Sequence, residues 1–434
     1  MTSIWKSFRS LYFATLLMLT GSGLLSTYLS LRLAADKVDI AWIGALMAAN
    51  YFGLVLGGKV GHQLIARVGH MRAFVSSSGV VGAAVLGHGL IDWLPAWLAL
   101  RALVGLGMMC QYMVIESWLN EQAHASQRGR VFSGYMIACE FGLILGQLAL
   151  VLHPTLGLEL LMLVALCFTL CLVPVAMTRR SHPAPMPLVS LEPMFFIRRV
   201  PQSLTTILVS GLAIGSFYGL APLHASLMGL STLQVGLFMA SCILAGLLVQ
   251  WPLGWLSDRY DRGVLIRNCA VLLTIASLPM AILSELPPAL LFPLGFFFCL
   301  LQFSLYPLAV AFSNDYIEAE HRVSLTAMLL VTFGIGACLG PLVAGLLMRE
   351  LGPNMLYAFV CFCAFILIFR IRPDTINQMQ QVPDAPPQHL AVVDDLASLS
   401  LSTALHPYID EVKAQEQMQR SYAPSTEARE QPPI

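Results

Sequence analysis

Long apolar runs broken by short polar connections dominate the first 372 positions of this chain. Twelve runs of about 20 residues fall near 11–32, 40–60, 73–91, 96–119, 131–152, 157–177, 204–226, 233–253, 264–283, 289–312, 323–347 and 354–371. Each is long enough, as a helix, to cross a hydrocarbon layer of ~30 Å. Inside lipid the backbone must satisfy its own hydrogen bonds, and segments of this length do so only as helices. The polar stretch 178–203, with Arg179, Arg180, Arg198 and Arg199 among several prolines, divides the runs six and six. From Pro373 onward hydrophobicity collapses, and the pattern predicts a disordered tail with at most a short helix near 389–404. The expected organisation is a helical bundle over 1–180, a linker over 181–203, a second bundle over 204–372 and the tail over 373–434.

Composition agrees with a lipid-embedded chain. Of the 434 residues 57% are hydrophobic and only 11% charged, with mean hydropathy +0.74. A soluble domain could not hide that much apolar surface. Positive charge then sets orientation. Of the 24 Lys and Arg, three lie in the tail and Arg101 lies inside a span. With a cytoplasmic N-terminus, 17 of the other 20 face the cytoplasm, leaving Arg32, Lys37 and Arg349 outside. The positive-inside rule therefore predicts both termini in the cytoplasm. Lys6 and Arg9 before an apolar run also suit a signal peptide, but the run is too long for one and an uncleaved first helix is favoured.

The two sets of runs repeat each other. Asn120-Glu121, six residues, then Arg128 returns 194 positions later as Asn314-Asp315, six residues, then Arg322. Tyr112 matches Tyr306, Gly142 matches Gly336 and Gly146 matches Gly340. An offset of 192 pairs Gly44, Met47, Ala48 and Arg67 with Gly236, Met239, Ala240 and Arg259. Membrane chains made of two like halves commonly place a two-sided site at their interface, which points to a carrier.

Local motifs extend this. Gly254-Trp-Leu-Ser-Asp258-Arg259-Tyr-Asp-Arg262 follows the eighth run, and Gly61-His-Gln-Leu-Ile-Ala66-Arg67-Val-Gly69 follows the second. Arg101-Ala-Leu-Val-Gly105-Leu-Gly107 lies in the fourth. Together these resemble the signature loops and the Arg-x-x-x-Gly-x-Gly element of the major facilitator superfamily, with Asp261 in place of a second loop glycine, Ala66 in place of an acid and Val104 in place of a frequent Gln. The acid-x6-Arg pairs are similar to those of the family's sugar porters. Ile115-Glu-Ser-Trp-Leu-Asn-Glu121 further resembles a subgroup of bacterial YcaD-like permeases. The resemblance covers 1–372. It implies twelve helices in two pseudo-symmetric six-helix bundles, a solute cavity between spans one, four, seven and ten, and alternating access. It also implies a cytoplasmic gate drawn from Asp258, Arg259, Arg262, Glu116, Glu121, Arg128, Asp315, Arg322 and Arg67. Asp258 would rest against a helix N-terminus of the other half, and Ala66 removes the same device from the first half. Short charge pairs at solvated helix ends, worth about 0–1 kcal/mol each, suit a lock that must break in every cycle.

Two charges sit within runs. Glu140 lies about nine residues into the fifth, ~14 Å from its start, where a carboxylate is costly and must be protonated or paired. A proton-coupling or solute-binding role competes with a neutral Glu hydrogen-bonding between helices. Arg101 lies ~8 Å from the opposite face, where coupling competes with snorkelling to the headgroups. An Arg101–Glu140 pair requires both side chains to reach across a depth difference of ~9 Å. Glu116, near a helix end, is expected to pair with Arg128 or Arg130. Asn50, Gln111, Tyr112, Tyr218, Gln302 and Tyr306 are candidate cavity residues, as are Ser26, Ser210 and Ser216 among the hydroxyls.

The ten cysteines all fall in predicted spans and read as small packing residues, with no further ligands nearby for zinc. No Gly-x-Ser-x-Gly, His-Glu-x-x-His or phosphate loop occurs, so an enzyme is not expected. The expected partners are a small solute, protons and lipid, with no cofactor, metal or nucleic acid, and the expected state is a monomer. The competing reading is a non-transporting membrane sensor signalling through the tail. Deleting the tail separates them, since a carrier keeps its flux and a sensor falls silent. Gly146 is followed by Gln147, whereas the Gly-Pro element lies at Gly340-Pro341, so the family's antiporter signature is absent from the fifth span and direction stays open.

Overall fold

The structure is a computed structural model that describes residues 2–122, 128–177, 193–283, 286–318 and 321–371. Among the described residues every regular element is helical. The first half contains α1 (Thr2–Ala35), α2 (Ile40–Val68), α3 (His70–Leu90), α4 (Leu94–Gln122), α5 (Arg128–Leu152), α6 (Leu158–Leu170) and α7 (Leu172–Ala176). A short α8 (Pro193–Arg199) leads into the second half: α9 (Pro201–Leu227), α10 (Thr232–Ser257), α11 (Arg262–Ile282), α12 (Pro288–Asn314), α13 (Arg322–Leu351) and α14 (Met355–Arg370). The tail from 373, most of the linker, and the side chains of Glu121 and Arg128 lie outside the described residues.

Among the described residues eleven helices, counting α6 and α7 as one, are long and apolar enough to cross a membrane. The twelfth, α14, has 16 residues, ~24 Å at 1.5 Å per residue, and is shorter than a hydrocarbon core. Several helices outrun their apolar stretches. α2 reaches Val68 and α4 reaches Gln122, because the backbone gains by staying helical through the headgroup layer.

The repeat in the sequence is a repeat in packing. Gly142 and Gly146 lay α5 on α1, where an added Cβ would collide with the carbonyl oxygens of Leu16 and Thr20. Gly336 and Gly340 lay α13 on α9 against the carbonyls of Leu208 and Leu212. The same correspondence holds across the halves, where α2 packs on α13 and α10 on α5. Gly44 meets Pro341 and Gly345, while its mate Gly236 meets Gln147 and Val151, the mates of that pair. A two-fold relation between the halves explains why one glycine spacing serves both seams.

The signature loops use two different turns. Gly69 joins α2 to α3 at φ 81°, a conformation that disfavours residues with a Cβ. Its mate Asp261 has φ −57° and caps α11 by accepting from Val264 N at 2.9 Å. Asp261 therefore replaces the expected glycine because this loop turns without positive φ and needs a cap.

Candidate functional site

Arg101 is fully buried on α4, so the snorkelling alternative does not describe it. Its Nη2 donates to Ser26 Oγ on α1 at 2.6 Å and to Met47 Sδ on α2 at 3.7 Å. Met47 in turn fills the space over Gly219 of α9, and Ser30 Oγ donates to the Gly219 carbonyl at 2.6 Å. One side chain thus separates the buried cation from the second half. Beside Gly219, the Tyr218 ring stacks on Phe303 of α12 at 6.0 Å.

Across this seam the polar groups change character. Gln302, next to Phe303, is buried with neither end of its amide partnered. Tyr306, one turn along the same face, is buried with its hydroxyl unpartnered and its ring edge-on to Phe333 at 5.2 Å. Ser210 on the adjoining α9 is also buried with a free hydroxyl. Asn50 on α2 holds an unpartnered Oδ1. An unsatisfied buried polar group costs about 1–3 kcal/mol, so Gln302, Tyr306 and Ser210, on adjoining helices, are groups with hydrogen bonds still to give. The arrangement offers donors and acceptors without charge on one side and an Arg on the other.

The remaining candidates divide. Glu140 is buried on α5, at the level where that helix abuts Leu16 of α1. The Arg101 guanidinium reaches Ser26, ~15 Å further along α1 by helix rise, more than the ~9 Å expected. Tyr112 is buried on α4. Gln111, placed in the cavity by sequence, turns the other way. Its Nε2 donates to Ser78 Oγ at 2.6 Å and approaches Cys171 Sγ at 4.0 Å, which makes it a tie inside the first half. Glu116 is not at a solvated helix end. It is buried and accepts from the Tyr135 hydroxyl of α5 at 3.1 Å, while Arg130 is exposed.

At the far end, the described residues of the second half hold a charge cluster. Arg262 pairs with Asp315, lies 4.0 Å from Asp258, and donates to Ser257 Oγ at 3.0 Å and the Ala311 carbonyl at 3.2 Å. Burial holds the Asp315 carboxyl above its ordinary range, opposed by Arg262. Arg322 is buried and donates to the Ile317 carbonyl at 3.4 Å. Arg259 lies over the Trp255 ring at 3.9 Å, and Arg67 is exposed. Asp258, expected against the other half, is half-exposed beside Arg262 of its own.

Cross-half contacts gather at the opposite end. Besides Ser30–Gly219 and the paired glycines, Arg349 Nε lies 3.3 Å from Asp39 Oδ2. Sequence reasoning missed Gln147, which accepts from Thr27 at 2.9 Å and donates to the Gly23 carbonyl at 3.0 Å. It also missed His224. Asn354 Nδ2 donates to the Leu283 carbonyl at 2.7 Å, so its Oδ1 must accept from His224 Nε2 at 3.2 Å, fixing the tautomer. Partners 130 positions apart leave no periodic signal. Among the described residues, no group of three or more His, Cys, Asp or Glu is placed to hold a metal ion.

A two-fold helical bundle with membrane-spanning helices and buried polar groups in both halves has the form of a transporter. The chain belongs to the Major Facilitator Superfamily, which it matches over residues 11–305, and it is a secondary transporter. An uncharacterized MFS-type transporter of Enterobacter sp. (strain 638) is 30% identical over 362 residues, covering 82% of this chain and 92% of that one. The uncharacterized MFS-type transporter YcaD of Shigella flexneri is 29% identical over 365 residues, with the same coverage. Among solved structures, nucleoside transporter NupG aligns with TM-score 0.71 at 15% identity, over 83% of this chain and 97% of that one. A D-xylose-proton symporter aligns with TM-score 0.67 at 14% identity, over 84% and 97%.

Proposed function

We propose that this protein carries a neutral, hydrogen-bonding organic solute across a bacterial cytoplasmic membrane by alternating access, coupled to protons, as a monomer with cytoplasmic termini. The carrying observation is the set of unmet hydrogen-bonding atoms on Ser210, Gln302 and Tyr306, one seam away from Arg101. A charged cargo would call for a counter-charge among these groups, and they supply none. Tyr218 stacked on Phe303 adds an aromatic wall of the kind that ring-bearing solutes pack on. With Asp39 and Arg349 on the outer side, the Arg349–Asp39 contact holds the outer end of the two halves together. Glu140, buried in the first half, is the proposed proton site.

Tyr306→Phe separates binding from folding. Removing a hydroxyl that has no partner leaves the melting temperature of the empty protein unchanged or slightly higher. Stabilisation by a bound solute falls by about 1–2 kcal/mol, roughly 5–30-fold in affinity. Thermal-shift titrations with uridine and D-xylose, chosen because the NupG and xylose-symporter folds are alike, provide the readout. A Tyr306→Phe protein that melts much lower while empty, or binds a solute as tightly as before, removes Tyr306 from the site.

A further inference from the structure

α8 stands apart from the transport machinery, and its surface is unusual for a loop helix. Phe196 is fully buried and anchors the helix to the second half. The neighbouring Phe195 ring lies 5.1 Å from His321, and Arg199 Nε donates to the Tyr316 carbonyl at 3.2 Å. α8 is thereby held at the foot of α9, where the spanning segment begins at Pro201. Its outward face carries Met194, Phe195 and Ile197, 61%, 40% and 49% exposed. Such side chains favour the acyl boundary at that depth and do not favour water. Directly beside them Met194, Phe195, Arg198 and Arg199 line a cleft of ≈ 320 Å³. The first turn of α9 opens from Val200 without a side-chain cap, which adds positive potential on the same flank.

We propose that this cleft binds the phosphate headgroup of an anionic phospholipid, with Arg198 and Arg199 on the phosphate and Met194, Phe195 and Ile197 against the first methylenes of its chains. Two features select this occupant. Paired guanidinium groups match a phosphodiester in charge and geometry, and apolar side chains adjoining them match a ligand that is itself amphipathic. A freely soluble anion would use the arginines but not the apolar rim. Seated at the hinge between linker and second half, the lipid would hold α8 against the Tyr316 end of α12.

The test uses the full chain in neutral detergent, measuring the melting temperature with added phosphatidylglycerol, phosphatidylcholine, glycerol 3-phosphate or inorganic phosphate. Phosphatidylglycerol is expected to raise it, phosphatidylcholine to raise it less than half as much, and the two soluble phosphates to leave it within error. Arg198→Gln leaves the Arg199–Tyr316 bond in place and preserves the fold, and it should cut the phosphatidylglycerol shift at least twofold. Ile197→Ser should weaken the shift while leaving both arginines intact. Arg67→Gln, an exposed basic residue on the first half, serves as the control and should keep the full shift. An equal response to phosphatidylcholine, an undiminished shift in Arg198→Gln, or the same shift from either soluble phosphate overturns the proposal.

Discussion

Replacing Gly44 with valine is expected to stop transport at least tenfold while leaving a folded protein. The glycine has no room for a side chain, because a Cβ there lands on the Pro341 carbonyl, with Gly345 close behind. That collision exists only while α2 and α13 are in contact at the Asp39 end. Overpacking a closed seam costs about 1–3 kcal/mol. A carrier balances states that differ by only a few kcal/mol, so the cost shifts the population by roughly 5–150-fold toward states with that end apart. Crosslinking reads the population directly. Cysteines placed at Asp39 and Arg349, whose native side chains meet at 3.3 Å, in a chain whose ten native cysteines are replaced, should be joined readily by a short bifunctional thiol reagent in the parent and poorly with Gly44→Val. The mate Gly236→Val should act alike through the Gln147 carbonyl and Val151. Full crosslinking together with normal flux in either variant would show that the seams do not open during the cycle.

The sequence already displayed most of this architecture, and physics explains which parts. Helices that must cross ~30 Å of hydrocarbon are written as apolar runs, so eleven of the spans were legible, and α14 differs only in being short. Glycine spacing was legible because close backbone approach tolerates nothing larger, though the carbonyls that Gly142 and Gly336 meet, on Leu16 and Leu208, were not. Side-chain direction was not legible. Gln111 and Tyr112 are neighbours on α4, yet one step around a helix turns Gln111 to Ser78 and Cys171, inside the first half. In a helix apolar on every face, no amphipathic stripe says which side meets a neighbour. Glu116 illustrates the same limit, since its distance from a helix end says nothing of Tyr135 on α5. Nor could spacing show that Gln302 and Tyr306 would be left unpartnered, because an absent hydrogen bond has no signature in sequence.

The second large effect is expected from Glu140→Gln. Glutamine matches the protonated acid in shape and keeps a hydrogen-bonding head, so the buried site on α5 retains its packing while losing its capacity to exchange a proton. A pH gradient of one unit supplies about 1.4 kcal/mol per proton, which sustains a roughly tenfold accumulation ratio when one proton moves with one solute. In proteoliposomes, Glu140→Gln should bring that ratio to about one, while solute exchange at equal pH stays within roughly threefold of the parent. The two measurements must diverge for the assignment to hold. Loss of both would mark Glu140 as a packing or solute-binding group, and retention of the pH-driven ratio would move the proton to another site. Arg101 predicts the complementary outcome, because it cannot titrate. Arg101→Lys replaces the planar guanidinium whose Nη2 reaches both Ser26 and Met47 with a shorter, more strongly hydrated ammonium, so exchange and pH-driven accumulation should fall in parallel. A split between these two variants would place proton movement at α5 and the adjustment of the seam at α4, with Met47 over Gly219 linking the halves.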